Sequence, residues 1–99
     1  SENRPIFVDV TADWCLTCKT NEAVVLSKDD VREILSRAKA ILVKADYTLE
    51  SPEITRLLRT LGKSGVPAYA VYHPESGKWE TIPEILTKES IAKALSEHH

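Results

Sequence analysis

Apolar positions along the chain follow two rhythms: short continuous runs, and longer stretches in which they recur every three or four residues. "PIFVDVTA" is a run rich in β-branched residues and predicts a buried strand at about residues 6–12. From Cys15 the pattern turns helical, with Cys18, Glu22 and Val25 on one side. Ser27 and the acidic pair Asp29-Asp30 are placed to open a second helix, because a hydroxyl acceptor and negative charge both suit a helix N-terminus. Its residues Val31, Ile34, Leu35 and Ala38 keep the spacing of one buried face. "AILVKADY" (40–47) predicts the next strand. In "SPEITRLLRTLG", Ser51 is the N-cap, Pro52 the first helical residue and Gly62 the stop, with Ile54, Leu57, Leu58 and Leu61 as the buried stripe. "AYAVYH" (68–73) and "KWETI" (78–82) flank the turn-rich "PESG", which predicts an antiparallel hairpin. A last helix starts at Thr87, where Leu86 and Ile91 suit a hydrophobic staple.

The predicted order is β-α-α-β-α-β-β-α. This is an α/β fold, a mixed central sheet of about four strands with helices on both faces. With 99 residues, 42% hydrophobic and 28% charged, the chain can build one core without metal or extra disulfides, so 1–99 reads as a single domain. Residues 1–4 and 98–99 read as its edges, with Ser1 a vector scar and His98-His99 a clipped affinity tag. The net charge of −2, mixed in sign along the chain, leaves no basic stripe for nucleic acid and no polybasic membrane patch. No apolar run approaches the roughly 18 residues that span a bilayer. No signal-peptide pattern opens the chain. The expectation is a soluble piece, monomeric in isolation, that is compatible with excision from a longer protein.

"ADWCLTCK" (12–19) holds the only two cysteines, Cys15 and Cys18, and three readings compete for them. A structural zinc site needs four ligands, usually as two separated pairs. Beyond the cysteines the candidates are His73, which reads as a solvated residue at the mouth of a turn, and the terminal His98 and His99. A structural staple gains little, since a loop this short contributes about 2 kcal/mol by chain entropy, against about 3 for fifteen residues. A redox couple explains more. At i and i+3 on a helix the two sulfurs meet without moving the backbone. The first cysteine, where strand passes into helix, faces the helix N-terminus, which favours its thiolate. That geometry makes Cys15 the exposed nucleophile and Cys18, one turn inside, the resolving thiol. C-x-x-C beside a βαβ pattern points the same way.

With these residues in place, the sequence resembles a thioredoxin-fold oxidoreductase. "ADWCLTCK" after an apolar strand resembles the family's active-site segment, and "SGVP" (64–67) resembles the loop whose proline is cis. The family's usual extra N-terminal strand is not matched. More narrowly, "VDVTADWCLTCKTNE" and "VKADYT" resemble the C-terminal periplasmic domain of membrane thiol:disulfide interchange proteins, the DsbD and ScsB-like group. Ordinary thioredoxins carry Gly-Pro between the cysteines, where this chain has Leu16-Thr17.

The resemblance implies that Cys15 attacks, Cys18 resolves, Pro67 is cis, and Asp9 and Glu22 are carboxylates beneath the site. The residues themselves add reasons. Asp9 interrupts an apolar run, and a poorly solvated carboxyl has a raised pKa suited to moving protons near neutral pH. Glu22 falls on the cysteine face of its helix. With both acids under Cys15, like-charge repulsion would hold its thiol above the ordinary value of about 8.5. Trp14 shields Cys15 and offers partners a contact surface, and Val66 offers its backbone to an extended segment. Asp13 and Lys19 read as solvated.

The function implied is a protein-disulfide reductase with no cofactor beyond the Cys15–Cys18 disulfide. It would take electrons from a transmembrane donor domain of the same protein and pass them to periplasmic disulfide-bearing partners, as a periplasmic domain of an inner-membrane protein. Such a role includes supply of electrons to cytochrome c biogenesis. Two other classes stay open: a stand-alone soluble thioredoxin-like reductant, and a non-catalytic interaction module.

Overall fold

β1 (Ile6–Thr11) runs through the middle of the sheet, which is why Phe7, Val8, Asp9 and Val10 are all buried. A computed structural model describes residues 4–96; residues 1–3 and 97–99 lie outside the described residues, and with them most of the expectation of a scar and a tag remnant. After β1 come α1 (Leu16–Asn21), a π-helical continuation over Glu22–Leu26, α2 (Asp29–Arg37), β2 (Ile41–Asp46), α3 (Pro52–Thr60), β3 (Ala68–His73), β4 (Lys78–Ile82) and α4 (Lys88–Ser96). The sheet is four-stranded in the order β2-β1-β3-β4. β1 pairs parallel with β2 and antiparallel with β3, and β3–β4 is the predicted hairpin.

Strand alternation sorts the core into two layers. Phe7, Tyr69 and Val71 face Val31 and Leu35 of α2 and Ile91, Ala94 and Leu95 of α4. Val8, Val10 and Ala68 face Leu58 of α3, with Ile54 and Leu57 packed alongside. The mixed sheet with helices on both faces is as expected. β2 is an edge strand, and it leaves Ile41, Leu42 and Val43 exposed although they form one of the most apolar runs in the chain.

The helix ends show which local rules held. The Ser51 hydroxyl accepts from the Ile54 N–H, Pro52 follows it, and Gly62 at φ 73° ends α3. Thr87 and Ser90 cap α4 reciprocally, each hydroxyl accepting the other's N–H, while Leu86 and Ile91 are buried in one cluster. Ser27 does not cap α2. Its N–H closes the π turn on the Glu22 carbonyl at 2.9 Å and its hydroxyl donates to the Ala23 carbonyl, which leaves Lys28 in the cap position. His73 is likewise not a solvated loop residue. It ends β3 at 3% exposure, with Nε2 2.9 Å from the Ala94 carbonyl.

α2 ends in a two-bond lock, with Ala40 N–H on Leu35 O and Lys39 N–H on Ser36 O, and this puts Lys39 at φ 57°. A side chain there costs about 1 kcal/mol relative to glycine. Lys39→Gly is therefore expected to raise the unfolding free energy by about 0.5–1 kcal/mol despite its freer unfolded chain. Urea denaturation checks it, and an unchanged or lower midpoint counts against this reading.

Candidate redox site

α1 begins at the first cysteine. Cys15 is the N-cap residue, with extended backbone (φ −90°, ψ 105°), and its N–H closes a turn on the Ala12 carbonyl. The N–H of Cys18, one turn on, donates to Cys15 Sγ at 3.1 Å. The two cysteines are joined in a disulfide with Cα atoms 5.2 Å apart. The expected i, i+3 geometry is therefore present, and so is the helix-terminal donor aimed at the first sulfur.

Exposure differs from expectation. Cys15 is 6% exposed and Cys18 4%, so in the disulfide form the attacking sulfur is not an open one. Ala12 and Val66 pack on the pair and supply the cover. Trp14, by contrast, is 61% exposed and Leu16 78%, so the apolar side chains flanking Cys15 face outward. Val66 is half-buried against the cysteines, and the Val66–Pro67 bond is cis. Asp13 and Lys19 are exposed, as the sequence suggested.

The two carboxylates occupy different surroundings. Asp9 is buried, and its Oδ1 has no hydrogen-bond partner among the described residues. Burial, then the nearby charge of Glu22, push its carboxyl up from 3.8 to about 6, and Lys44 opposes them. Glu22 is an exposed side chain with Oε1 3.8 Å from Lys44 Nζ. Lys44 is directly opposite Asp9 in the parallel β1–β2 register. Glu22 and Lys44 line two adjoining recesses: a groove of about 520 Å³ that includes Cys18, and a cavity of about 430 Å³ that includes Asp9. Cys18, not Cys15, forms part of the groove wall. Glu22 therefore shares a groove wall with the second sulfur.

Lys44, Asn21 and Tyr69 also belong to this cluster, and no motif in the sequence assigns them a role. Asn21 is buried at the end of α1, where Nδ2 donates to Tyr69 Oη at 2.9 Å and to the Glu84 carbonyl at 2.8 Å. Its Oδ1 accepts the Leu86 N–H, so one amide ties α1 to β3 and to the loop before α4. Burial pushes the Tyr69 hydroxyl up to about 12, so it stays neutral beside Asp9. A lysine inside the apolar "ILVKAD" was the available signal for Lys44, but its partner is legible only once the strands are paired. Among the described residues, no group of three or more His, Cys, Asp or Glu side chains is placed to hold a metal.

The sequence model of the thioredoxin-like family matches residues 1–74. The chain is 32% identical over 75 residues to the thiol:disulfide interchange protein DsbD of Klebsiella pneumoniae subsp. pneumoniae, a match that covers 76% of the chain. It is 36% identical over 67 residues to the same-named protein of Yersinia enterocolitica, covering 68% of the chain. The chain spans only 12% and 11% of the length of these curated relatives. In three dimensions it is similar to the reduced DsbD C-terminal domain of Neisseria meningitidis, with a TM-score of 0.76 and 23% identity over 98% of this chain and 83% of that one. The oxidised form of that domain gives a TM-score of 0.76 at 24% identity, covering 97% of this chain and 81% of that one.

Proposed function

The chain belongs to the thioredoxin-like family, and from that premise we propose that it is a thiol-disulfide exchange domain acting as a protein-disulfide reductase through Cys15 and Cys18. The observation that carries this reading is the donor geometry at the pair. The Cys18 N–H already points at Cys15 Sγ, so the charge left when the disulfide opens has a waiting hydrogen bond.

In the proposed cycle, reduced Cys15 attacks one sulfur of a partner disulfide as a thiolate. A new Cys15–partner S–S bond forms, the partner S–S bond breaks, and the leaving partner thiolate takes up a proton. Cys18 then gives up its proton and attacks Cys15 Sγ. The mixed disulfide breaks, the second partner thiolate leaves and is protonated, and Cys15–Cys18 is oxidised. Two electrons and two protons have passed to the partner. Glu22 and Asp9 are the proposed acceptors of the Cys18 proton through water in the adjoining recesses, and the near-neutral carboxyl of Asp9 supports that part. Val66, packed on the cysteines just before the cis bond, offers its backbone to an extended partner segment, and Trp14, exposed next to Cys15 in the chain, offers an apolar contact surface. No bound cofactor enters the cycle.

We carry the cellular setting over from the resemblance. The domain would sit in the periplasm as part of an inner-membrane protein, be re-reduced by a transmembrane donor domain of that protein, and reduce periplasmic partners. No described helix is long and apolar enough to cross a membrane. Residues 1–99 would form one such domain.

The test is direct. The chain, reduced with dithiothreitol and freed of it, is mixed with insulin and the opened disulfides are counted. One insulin disulfide lost per chain, with Cys15–Cys18 reoxidised in step, is the expected result. Insulin opening no faster than in buffer would sink the reading.

A further inference from the structure

The loop after β2 holds a small hydrogen-bonded hub centred on a residue outside the cycle described above. Asp46 Oδ1 accepts both the backbone N–H and the hydroxyl of Thr48, at 2.9 and 2.5 Å. A hydroxyl has one hydrogen. Because Thr48 gives it to the carboxylate, only lone pairs are left to face its other neighbour, the N–H of Asp13, which donates to Oγ1 at 2.8 Å. The Thr48 carbonyl then accepts from Trp14 Nε1 at 3.4 Å. One threonine thus grips both residues that precede Cys15, across a sequence separation of 34 and 35. The same bonds, the hydroxyl's first, hold the Asp46 carboxyl below its ordinary value, so the acceptor stays ionised and keeps the hydroxyl oriented.

Geometry gives the grip a purpose. Trp14 is 61% exposed, so packing does not fix its ring, and among the described residues the turn 12–15 after β1 is otherwise closed by the Cys15-to-Ala12 bond. Leu49, next to Thr48, is 85% exposed, which leaves the hub flanked by apolar surface on both sides of the bonds. We propose that Thr48 is a positioning residue for exchange with protein substrates: it holds the Asp13–Trp14 turn in place and so sets the apolar lip beside Cys15 against which a protein disulfide docks. This rests on the exchange reading above. A small disulfide needs only the sulfur, whereas a protein must meet the lip.

Thr48→Val keeps the shape and removes the hydroxyl; Thr48→Ser keeps the hydroxyl. In a Trp79→Phe background, Trp14 is the one remaining tryptophan of the two in the chain, and its emission reports the lip directly. With dithiothreitol present to re-reduce Cys15–Cys18 after each cycle and its direct reaction with the disulfides subtracted, Thr48→Val is expected to lower kcat/KM for insulin about fivefold, the worth of one hydrogen bond, mainly through KM. Turnover of oxidised glutathione should stay within about twofold, acrylamide quenching of Trp14 should rise, and Thr48→Ser should restore both insulin turnover and quenching. Equal losses with insulin and glutathione, or quenching unchanged by Thr48→Val, would overturn the proposal. If the wild-type chain turned over neither disulfide, the exchange reading would fail on its own. The quenching comparison would still decide whether Thr48 holds Trp14.

Discussion

Cys15→Ser is expected to abolish disulfide exchange, leaving insulin reduction at the buffer rate. A serine hydroxyl does not ionise near neutral pH, so neither the helix terminus nor the Cys18 N–H can make it a nucleophile, and the remaining Cys18 sits behind the first turn. Cys18→Ser is expected to behave differently. The first attack proceeds, but no second thiol completes the exchange, so the reaction stops at one mixed disulfide per chain. Multiple turnover is lost in both variants, whereas a single-turnover burst survives only in Cys18→Ser. Rapid-quench thiol counting separates the two. A burst in Cys15→Ser and none in Cys18→Ser would reverse the assigned roles.

Asp9→Asn is expected to raise stability and slow exchange together. The carboxyl is carried from 3.8 to about 6 in the folded chain, first by burial and then by Glu22. Between those two values the folded state holds a proton that the unfolded state has released. Stability therefore falls as pH rises from about 4 to about 6 and is flat beyond, where the buried charge is present in full. A shift of this size corresponds to roughly 3 kcal/mol at most. The exposed Lys44 and Glu22 keep the site partly solvated, and an asparagine amide would leave hydrogen bonds of its own unmade, so a gain of about 1–2 kcal/mol at pH 8 is expected. For a domain of this size that is about 5–10 °C in Tm. The pH 4–6 decline should vanish in the variant. Loss of the proton acceptor should slow resolution by Cys18 at neutral pH by about a hundredfold, the low end of general-base effects. Thermal melts across pH and single-turnover rates check the two halves. A variant less stable than wild type at pH 8, with the pH 4–6 decline retained, would show that Asp9 is not a buried charge.

Those two sites were legible for different reasons. The cysteine pair, the strand before it, and the ends of α3 and α4 are set by near neighbours in sequence. Ser51 with Pro52, Gly62, and Thr87 with Leu86 and Ile91 behave in the fold as local chemistry dictates. Asp9 was visible as an acid inside an apolar run, and the sheet buries it as that run implied. What escaped depends on pairing at a distance. "AILVKADY" has a buried strand's composition, yet sheet order puts β2 at the edge and leaves its apolar residues exposed. Lys44 meets Asp9 only through the parallel register, and His73 is covered only because α4 packs over the end of β3. Ser27 failed as a cap because the preceding helix widens into a π turn and uses its backbone and hydroxyl first. Cys15 reads as exposed from its place at a helix start, but Ala12 and Val66 close over it.

The most direct test of the central claim is to trap the intermediate. The reduced Cys18→Ser chain is mixed with a disulfide-bearing protein, quenched in acid, and mapped by peptide mass spectrometry. A covalent adduct joined through Cys15, dissolved by dithiothreitol and absent from Cys15→Ser, is the predicted result. No adduct at Cys15 while wild type leaves the partner oxidised would contradict it, and Cys15–Cys18 would then be a structural bond.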